Sequence, residues 1–399
     1  LAAVPRTARK LTLADLDLRG RRLLLRADLN APLANGRVAD DSRLRAALPA
    51  VRTAREMGAA VVVTSHLGRP GGEPDPALSL RPVAERLQEL LGSAVGFEVG
   101  AVGDPGGSPH KLRPGEVLLL ENLRFHPGET RNSPEFAAAL AAYGDEYVND
   151  AFGAAHRAHA SVDACARRFP RAAAGPLLEV ELEALGLALG NPPRPFVAIL
   201  GGAKVSDKLP VILSLLRRAD RILIGGAMTY TFTAARGLPT GRSLVERDRV
   251  AEAAKLLEDH ADRLVLPTDH CTAPAPDRGP VRELPIDEIA ADWMGLDIGP
   301  ASRTAFAAHI RDAATIVWNG PMGLFEDPRF AEGTTAVAHA VAEATGRGTA
   351  SIVGGGDSLA AVRRSGLSGR ISHLSTGGGA SLAFLAEEPL PGVEALADA

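Results

Sequence analysis

Cysteine is nearly absent. Cys165 and Cys271 are the only two in 399 residues, which excludes a disulfide framework and points to a reducing cytoplasm. Long apolar runs are missing as well: no stretch approaches the roughly 20 residues of a membrane span. The opening Leu1–Lys10 carries basic residues without the apolar core of a signal peptide. There is no excess of positive charge, since the formal net charge is −4, and this argues against a general nucleic-acid binder. Neither GxGxxG nor GxxxxGK[ST] occurs, so neither of those nucleotide loops is in use. Among the basic residues it is lysine that is scarce. Only Lys10, Lys111, Lys204, Lys208 and Lys255 are lysines, five of 44.

Two of those five lie in one loop, Phe196-Val-Ala-Ile-Leu-Gly-Gly-Ala-Lys-Val-Ser-Asp-Lys208. Phe196 to Leu200 reads as a short buried strand and Ser206 onward as the start of a helix. Gly201 and Gly202 let the backbone turn tightly and approach a ligand. Lys204 and Lys208 are four apart, near one face if the helix begins early. An ammonium on a flexible stem is not interchangeable with a guanidinium, and its use here suits a phosphate that moves. From the loop alone, an ordinary strand–helix turn with solvated lysines remains the alternative.

At 399 residues the chain is long for one core, and two domains are expected. Apolar β-like runs alternate with helical patterns, the signature of an α/β fold with parallel sheets flanked by helices. Strands are expected at 23–26, 60–64, 117–120 and 146–148, then at 197–200, 221–224, 263–266, 315–318 and 350–353. Helices are expected at 42–57, 81–91, 134–142, 250–261 and 302–313. The segment from Arg168 to Pro176 is the candidate junction, followed by a helix near 179–189 that could connect two sheets. Ligands of open parallel sheets bind beyond the carboxyl ends of the strands. In the first half those ends carry arginine, histidine and Asp/Asn; in the second half they are glycine-rich.

Arginines at strand ends suit a small, multiply anionic ligand, because Arg grips carboxylate and phosphate in bidentate fashion. His156-Arg-Ala-His159 has the spacing of a zinc pair, but no Cys or carboxylate pattern joins it. Gly354-Gly-Gly-Asp-Ser358 and Gly377-Gly-Gly379 resemble phosphate cradles at helix N-termini. Asp357 inside such a cradle would repel phosphate unless Mg²⁺ came between them; helix N-capping is its alternative role.

With these motifs assembled, the sequence resembles the phosphoglycerate kinases over essentially its whole length. The stretches that carry the resemblance are 26–30, 65–70, 121–125, 149–159, 201–208, 318–325, 354–358 and 375–381. It implies two similar-sized Rossmann-like α/β domains joined by a helix and hinge. Residues 1–174 would bind phosphoglycerate, with a C-terminal tail, 387–399, packing back on them. Residues 175–386, including the connecting helix, would bind nucleotide. The implied activity is reversible Mg²⁺-dependent phosphoryl transfer between ATP/ADP and 3-phosphoglycerate/1,3-bisphosphoglycerate, in glycolysis and gluconeogenesis, by a cytoplasmic monomer with no nucleic-acid or membrane partner.

Carried over by position, the resemblance puts phosphoglycerate against Asp28, Asn30, Arg43, His66, Arg69, Arg124 and Arg157. Arg43, Lys204 and Lys208, with Gly378 and Gly379, would serve the transferring group. Nucleotide would meet Gly202, Ala203, Lys204, Lys208, Gly225, Gly226, Leu296, Asn319, Pro321, Leu324 and Glu326. Gly354, Gly355, Gly356, Asp357 and Ser358 would hold its phosphates, with Asp357 on Mg²⁺. Three departures from the family pattern stand out. Ala227 follows Gly225 and Gly226 where a third glycine is usual, Ala27 and Leu29 replace valine and phenylalanine, and Ala386-Glu-Glu-Pro389 replaces a Glu-Gly-Lys turn. A carboxylate acceptor is already ionised at neutral pH, so no general base is needed, and none is evident. Another nucleotide-dependent kinase or ligase would not need this arginine set. A non-catalytic relative should have lost Arg43, Lys204, Lys208 or Asp357, and all four are present.

Overall fold

The computed structural model describes residues 9–99, 102 and 111–399, so the reading of the opening segment falls largely outside the described residues. The chain divides into two compact units. One comprises the residues up to Glu183 together with Pro389–Ala399, the other Ala184–Glu388.

The first unit is built on six parallel strands: β1 (Arg22–Ala27), β2 (Ala60–Thr64), β3 (Val95–Glu98), β4 (Val117–Leu120), β5 (Glu146–Asp150) and β6 (Ala173–Ala174). Their order across the sheet is β3-β4-β2-β1-β5-β6. β2 and β4 are buried along their whole length, which is why they read as continuous apolar runs rather than alternating ones. Helix α1 (Ser42–Glu56) turns Leu44, Ala47, Leu48, Val51 and Ala54 inward, a spacing of three and four that lays one face on the core. That arrangement leaves Arg43 in the first turn, beside the end of β1. Helix α2 (Arg81–Leu91) ends at Gly92 with φ +67°. After β1 the chain moves to β2 on one side and later returns to β5 on the other, so the order reverses between β1 and β5. Such a reversal opens a crevice at the strand ends.

The C-terminal segment is tied into this unit. Asn149 Nδ2 donates to Gly392 O at 2.9 Å, Leu11 N donates to Ala397 O at 2.9 Å, and Lys10 pairs with Asp398 at 2.8 Å. Helix α3 (Pro176–Leu189) starts earlier than its sequence pattern indicated. Asp150 Oδ1 caps it, accepting from Leu177 N at 2.8 Å and Leu178 N at 3.2 Å.

The second unit repeats the architecture with β7 (Phe196–Leu200), β8 (Arg221–Ile224), β9 (Leu264–Val265), β13 (Thr315–Asn319), β14 (Ala350–Gly354) and β15 (His373–Leu374). These are parallel in the order β9-β8-β7-β13-β14-β15, and here the reversal lies between β7 and β13. Three antiparallel strands that the sequence pattern did not reveal, β10 (Asp269–Ala273), β11 (Arg282–Pro285) and β12 (Met294–Ile298), form a separate sheet. Glu387, in the turn where the family pattern places glycine, has φ +60°. Its carboxylate is held by Arg217 and Arg218. No helix among the described residues is long and apolar enough to cross a membrane.

Candidate active site

In the first unit the predicted ligand residues converge on the carboxyl ends of β1, β2, β4 and β5. Asp28 and Asn30 follow β1, and His66 and Arg69 follow β2. Arg124 sits in a single helical turn after β4, and Arg157 in the loop after β5. Asp28 Oδ2 accepts from Arg43 Nη1 at 2.6 Å, which aims a guanidinium that is 38% exposed. Asn30 Oδ1 accepts from Gly68 N at 3.0 Å, and Arg124 Nη1 donates to Gly68 O at 2.7 Å. One glycine turn therefore fixes two site residues. Arg157 Nε donates to His156 Nε2 at 3.2 Å. Arg69 is exposed and has no hydrogen bond or ion pair among the described residues.

Charge here is deliberately unbalanced. The charges of Arg157 and Arg26 act on Arg124 against the carboxylates of Glu129 and Asp28, and Arg26, Arg124 and Arg43 surround His66 against Asp28 alone among the charges that act on it. Arg124 Nε and Nη2 are sealed from solvent without a hydrogen-bond partner among the described residues. Burial, then the neighbouring Arg157 and Arg26 charges, lower its pKa to about 10. A buried donor left unpaired costs roughly 1–3 kcal/mol, more when charged, and an anion supplying acceptors would recover that. Burial pushes the Asp28 carboxyl up, yet His66 when charged and the Arg43 and Arg26 guanidiniums hold it below its ordinary value. At neutral pH His66 is uncharged, because burial and then Arg26 depress it strongly, so the guanidiniums are what remain. His159, with a pKa lowered to about 4 by burial and the arginines, is likewise neutral. No cluster of three or more metal-ligating side chains occurs among the described residues, so the His156/His159 spacing does not form such a site.

Sequence reasoning passed over what lies beneath. Arg26 is 1% exposed and Glu129 fully buried; Arg26 Nε donates to Ser161 Oγ at 2.8 Å, and Ser161 Oγ donates to Glu129 Oε1 at 2.6 Å. The one available signal was an arginine inside an otherwise apolar strand.

In the second unit, the loops after β7, β8 and β13 touch backbone to backbone. A Cβ on Gly201 would sit 2.0 Å from Pro321 O, so no other residue fits there. These loops border a cavity of about 270 Å³, which Gly202, Ala203, Gly226, Leu296, Pro321, Leu324, Glu326 and Asp357 line. Ala227, the departure from the glycine pattern, also lines it. So do Tyr230, His270 and Asp297, two of them on the antiparallel strands that the sequence did not reveal. Tyr230 Oη and His270 Nδ1 lie 2.9 Å apart. Burial raises Asp297 to about 7, against hydrogen bonds from Gly333 N and Ile298 N.

The lysine loop differs from expectation. Its helix begins at Leu209 rather than Ser206, so Lys204 and Lys208 do not share a helical face. Pro210, in the first turn, has no N–H to close onto Ser206 O, so the single turn closed by Leu209 N on Val205 O at 2.8 Å does not extend into an earlier start. Glu246 holds that turn, accepting from Ser206 N at 3.0 Å and Ser206 Oγ at 2.6 Å. Lys204 is exposed. Lys208 donates to Asn319 Oδ1, and burial lowers its pKa despite Asp207 and Asp357 nearby. Asn319 Nδ2 is sealed without a hydrogen-bond partner among the described residues.

Gly225 is buried against Met322. Gly354 ends β14, and Gly355, with φ +91°, precedes the helix Gly356–Arg364. Asp357 is exposed in its first turn; the N-cap is Gly355, so Asp357 is not the capping residue. Ser358 is fully buried, and its Oγ accepts from Gly320 N at 2.6 Å. Gly378, with φ +50°, precedes the short helix Gly379–Leu385.

The family model described as phosphoglycerate kinase matches residues 13–388. The phosphoglycerate kinase of Rubrobacter xylanophilus is 56% identical over 389 residues, 97% of this chain and 98% of the relative. That of Solibacter usitatus is 52% identical over 391 residues, covering 97% and 99%. Among solved structures, phosphoglycerate kinase from Coxiella burnetii superposes with a TM-score of 0.89 at 39% identity, covering 97% of this chain and 98% of that one. The enzyme from Pyrococcus horikoshii gives 0.83 at 35% identity, covering 96% and 98%.

Proposed function

Because the chain belongs to the phosphoglycerate kinase family and is a kinase, we propose that it transfers a phosphoryl group reversibly between ATP and the carboxylate of 3-phosphoglycerate. ADP and 1,3-bisphosphoglycerate are the products. The observation that carries the reading is Arg124, two of whose three guanidinium nitrogens, Nε and Nη2, are buried without a hydrogen-bond partner among the described residues, beside the charges of Arg157 and Arg26. Such a group serves little purpose until an anion arrives. Residues 1–174 would hold the phosphoglycerate through Asp28, Asn30, Arg43, His66, Arg69, Arg124 and Arg157, and residues 175–386 the nucleotide.

The acceptor carboxylate titrates near 4 when free and attacks without a base. The barrier is the meeting of anions, so positioning and preorganised positive charge are the remedies. Arg43 and Lys204 would neutralise charge on the transferring group, and Lys208 would follow the nucleotide phosphates. The amides at Gly378 and Gly379 would add neutral donors. The phosphoglycerate residues and the nucleotide loops belong to different units, so in-line transfer would follow a hinge closure that excludes water.

Asp357, one exposed carboxylate on the nucleotide cavity, with no cluster of metal-ligating side chains among the described residues, fits an ion held mainly by phosphates. Mg²⁺ is such an ion, taking one or two carboxylates plus substrate oxygens. It would supply screening of the phosphate charge. A coupled assay tests the proposal: ATP consumption should require both 3-phosphoglycerate and Mg²⁺. Equal turnover without 3-phosphoglycerate would contradict it.

A further inference from the structure

His66 is almost completely buried, yet its imidazole is not simply packed. Arg26 Nη2 lies 3.0 Å from His66 Nδ1. A guanidinium donates hydrogen bonds and cannot accept them, so Nδ1 must be the acceptor. A proton on Nδ1 would place donor against donor. A flipped ring would set a C–H against the guanidinium and strand a buried donor. Both groups are sealed in, Arg26 at 1% and His66 at 5% exposure, so water cannot relieve either mismatch.

Arg26 cannot swing away. Its Nε is spent on Ser161 Oγ at 2.8 Å, its Nη1 on Ala27 O, and Ser161 is clamped through both N and Oγ by the buried Glu129. Glu129 and Ser161 thus anchor the guanidinium from below. His66 Nε2 makes no hydrogen bond among the described residues, and it is not among the atoms sealed from solvent without a partner. The other charged groups whose field reaches the ring are Asp28, Arg124 and Arg43. The three arginines and the burial keep it uncharged, and Asp28 opposes them.

We infer that Arg26 is a positioning residue: donating from Nη2 to His66 Nδ1, it fixes the imidazole as the Nε2–H tautomer, so the ring offers an oxyanion one neutral donor rather than a charge. In a pocket that already holds four guanidiniums, a neutral donor adds direction without further repulsion. This role rests on the reading of the pocket as the phosphoglycerate site, but the tautomer itself does not.

The test is nitrogen-15 NMR of the imidazoles in the full, ligand-free chain at pH 7, with His66 assigned by its loss in His66→Gln. The proton should be found on Nε2, with Nδ1 unprotonated. Arg26→Lys, which keeps a donor, should retain that state, and Arg26→Met should populate the Nδ1–H form. In steady-state assays, Arg26→Met should raise KM for 3-phosphoglycerate about tenfold, the scale of one hydrogen bond to a charged group, with a smaller change in kcat. His66→Gln, whose amide nitrogen can stand near the Nε2 position, should bind more tightly than His66→Asn. If Arg26→Met fails to fold, wild type and the two His66 variants still decide. Nδ1–H in the wild type, or Asn outperforming Gln, overturns the inference even if 3-phosphoglycerate binds well. Nε2–H in a wild type that does not bind 3-phosphoglycerate upholds the tautomer and sinks the substrate reading instead.

Discussion

Arg43 is aimed before any ligand arrives. Asp28 holds its guanidinium at 2.6 Å, so little side-chain entropy is left to lose when charge develops on a transferring group. Lys204 is the opposite case: exposed, and free to follow a moving phosphate. The proposed function puts transition-state charge at both, and removing one such donor typically costs about 10²–10³-fold. Arg43→Ala and Lys204→Ala should therefore each lower kcat by about 100-fold at saturating substrates. Turnover near that of the wild type in both would remove them from the chemistry. At this scale the sequence was informative wherever a polar or charged residue follows an apolar strand, as with Asp28, His66 and Arg124. It was silent where charge is buried for support. Nothing in the spacing of Arg26, Glu129 and Ser161 announces that they touch, because they are joined by the crossover of strands and not by any local period. Asp297 and Tyr230 were missed for the same reason.

Among the elements, most of the parallel strands were legible because full burial on both faces writes them as unbroken apolar runs; the edge strands Val95–Glu98, Ala173–Ala174 and His373–Leu374 were not expected, two of them being only two residues long. The antiparallel strands Asp269–Ala273 and Arg282–Pro285 were not, since Asp-His-Cys-Thr-Ala and Arg-Glu-Leu-Pro show neither an apolar run nor a clear alternation. The late start of the helix at Leu209 had a local signal that was passed over: Pro210, in its first turn, cannot donate back to Ser206 O.

The capping of α3 has a pH consequence. Burial raises Asp150 to about 7, against the hydrogen bonds from Leu178 N and Leu177 N, whereas an unfolded Asp titrates near 3.9. Between those values the native state keeps a proton that the unfolded state releases. This contribution to stability therefore falls as pH rises from about 4 to about 7 and levels off above. Asp150→Asn carries a constant penalty for an amide nitrogen at the unpartnered Oδ2 position but removes the titration. Relative to wild type it should gain thermal stability between pH 4.5 and pH 8. An identical difference in Tm at both pH values would show that Asp150 does not titrate in this window.

For the whole molecule, the division of labour is the informative feature. One unit gathers guanidiniums; the other gathers glycine loops around a cavity. Two units were expected from chain length and from the repeated strand–helix style. The fold places their division within α3, between Glu183 and Ala184, a boundary that no local breaker in the sequence marks. Scattering from the protein with 3-phosphoglycerate, a non-hydrolysable ATP analogue and Mg²⁺ should give the mass of a monomer and a smaller radius of gyration than the free protein. An unchanged radius at saturation would argue against closure.

The chemistry itself is read most directly from the bond that forms. An acyl phosphate reacts with hydroxylamine to give a hydroxamate, and a phosphate ester does not. With ATP, Mg²⁺ and 3-phosphoglycerate present, hydroxylamine should displace the acyl phosphate and trap the 3-phosphoglyceroyl hydroxamate in step with ADP release, and omission of any one of the three should abolish it. ADP released without hydroxamate would mean that the phosphoryl group goes elsewhere than to a carboxylate.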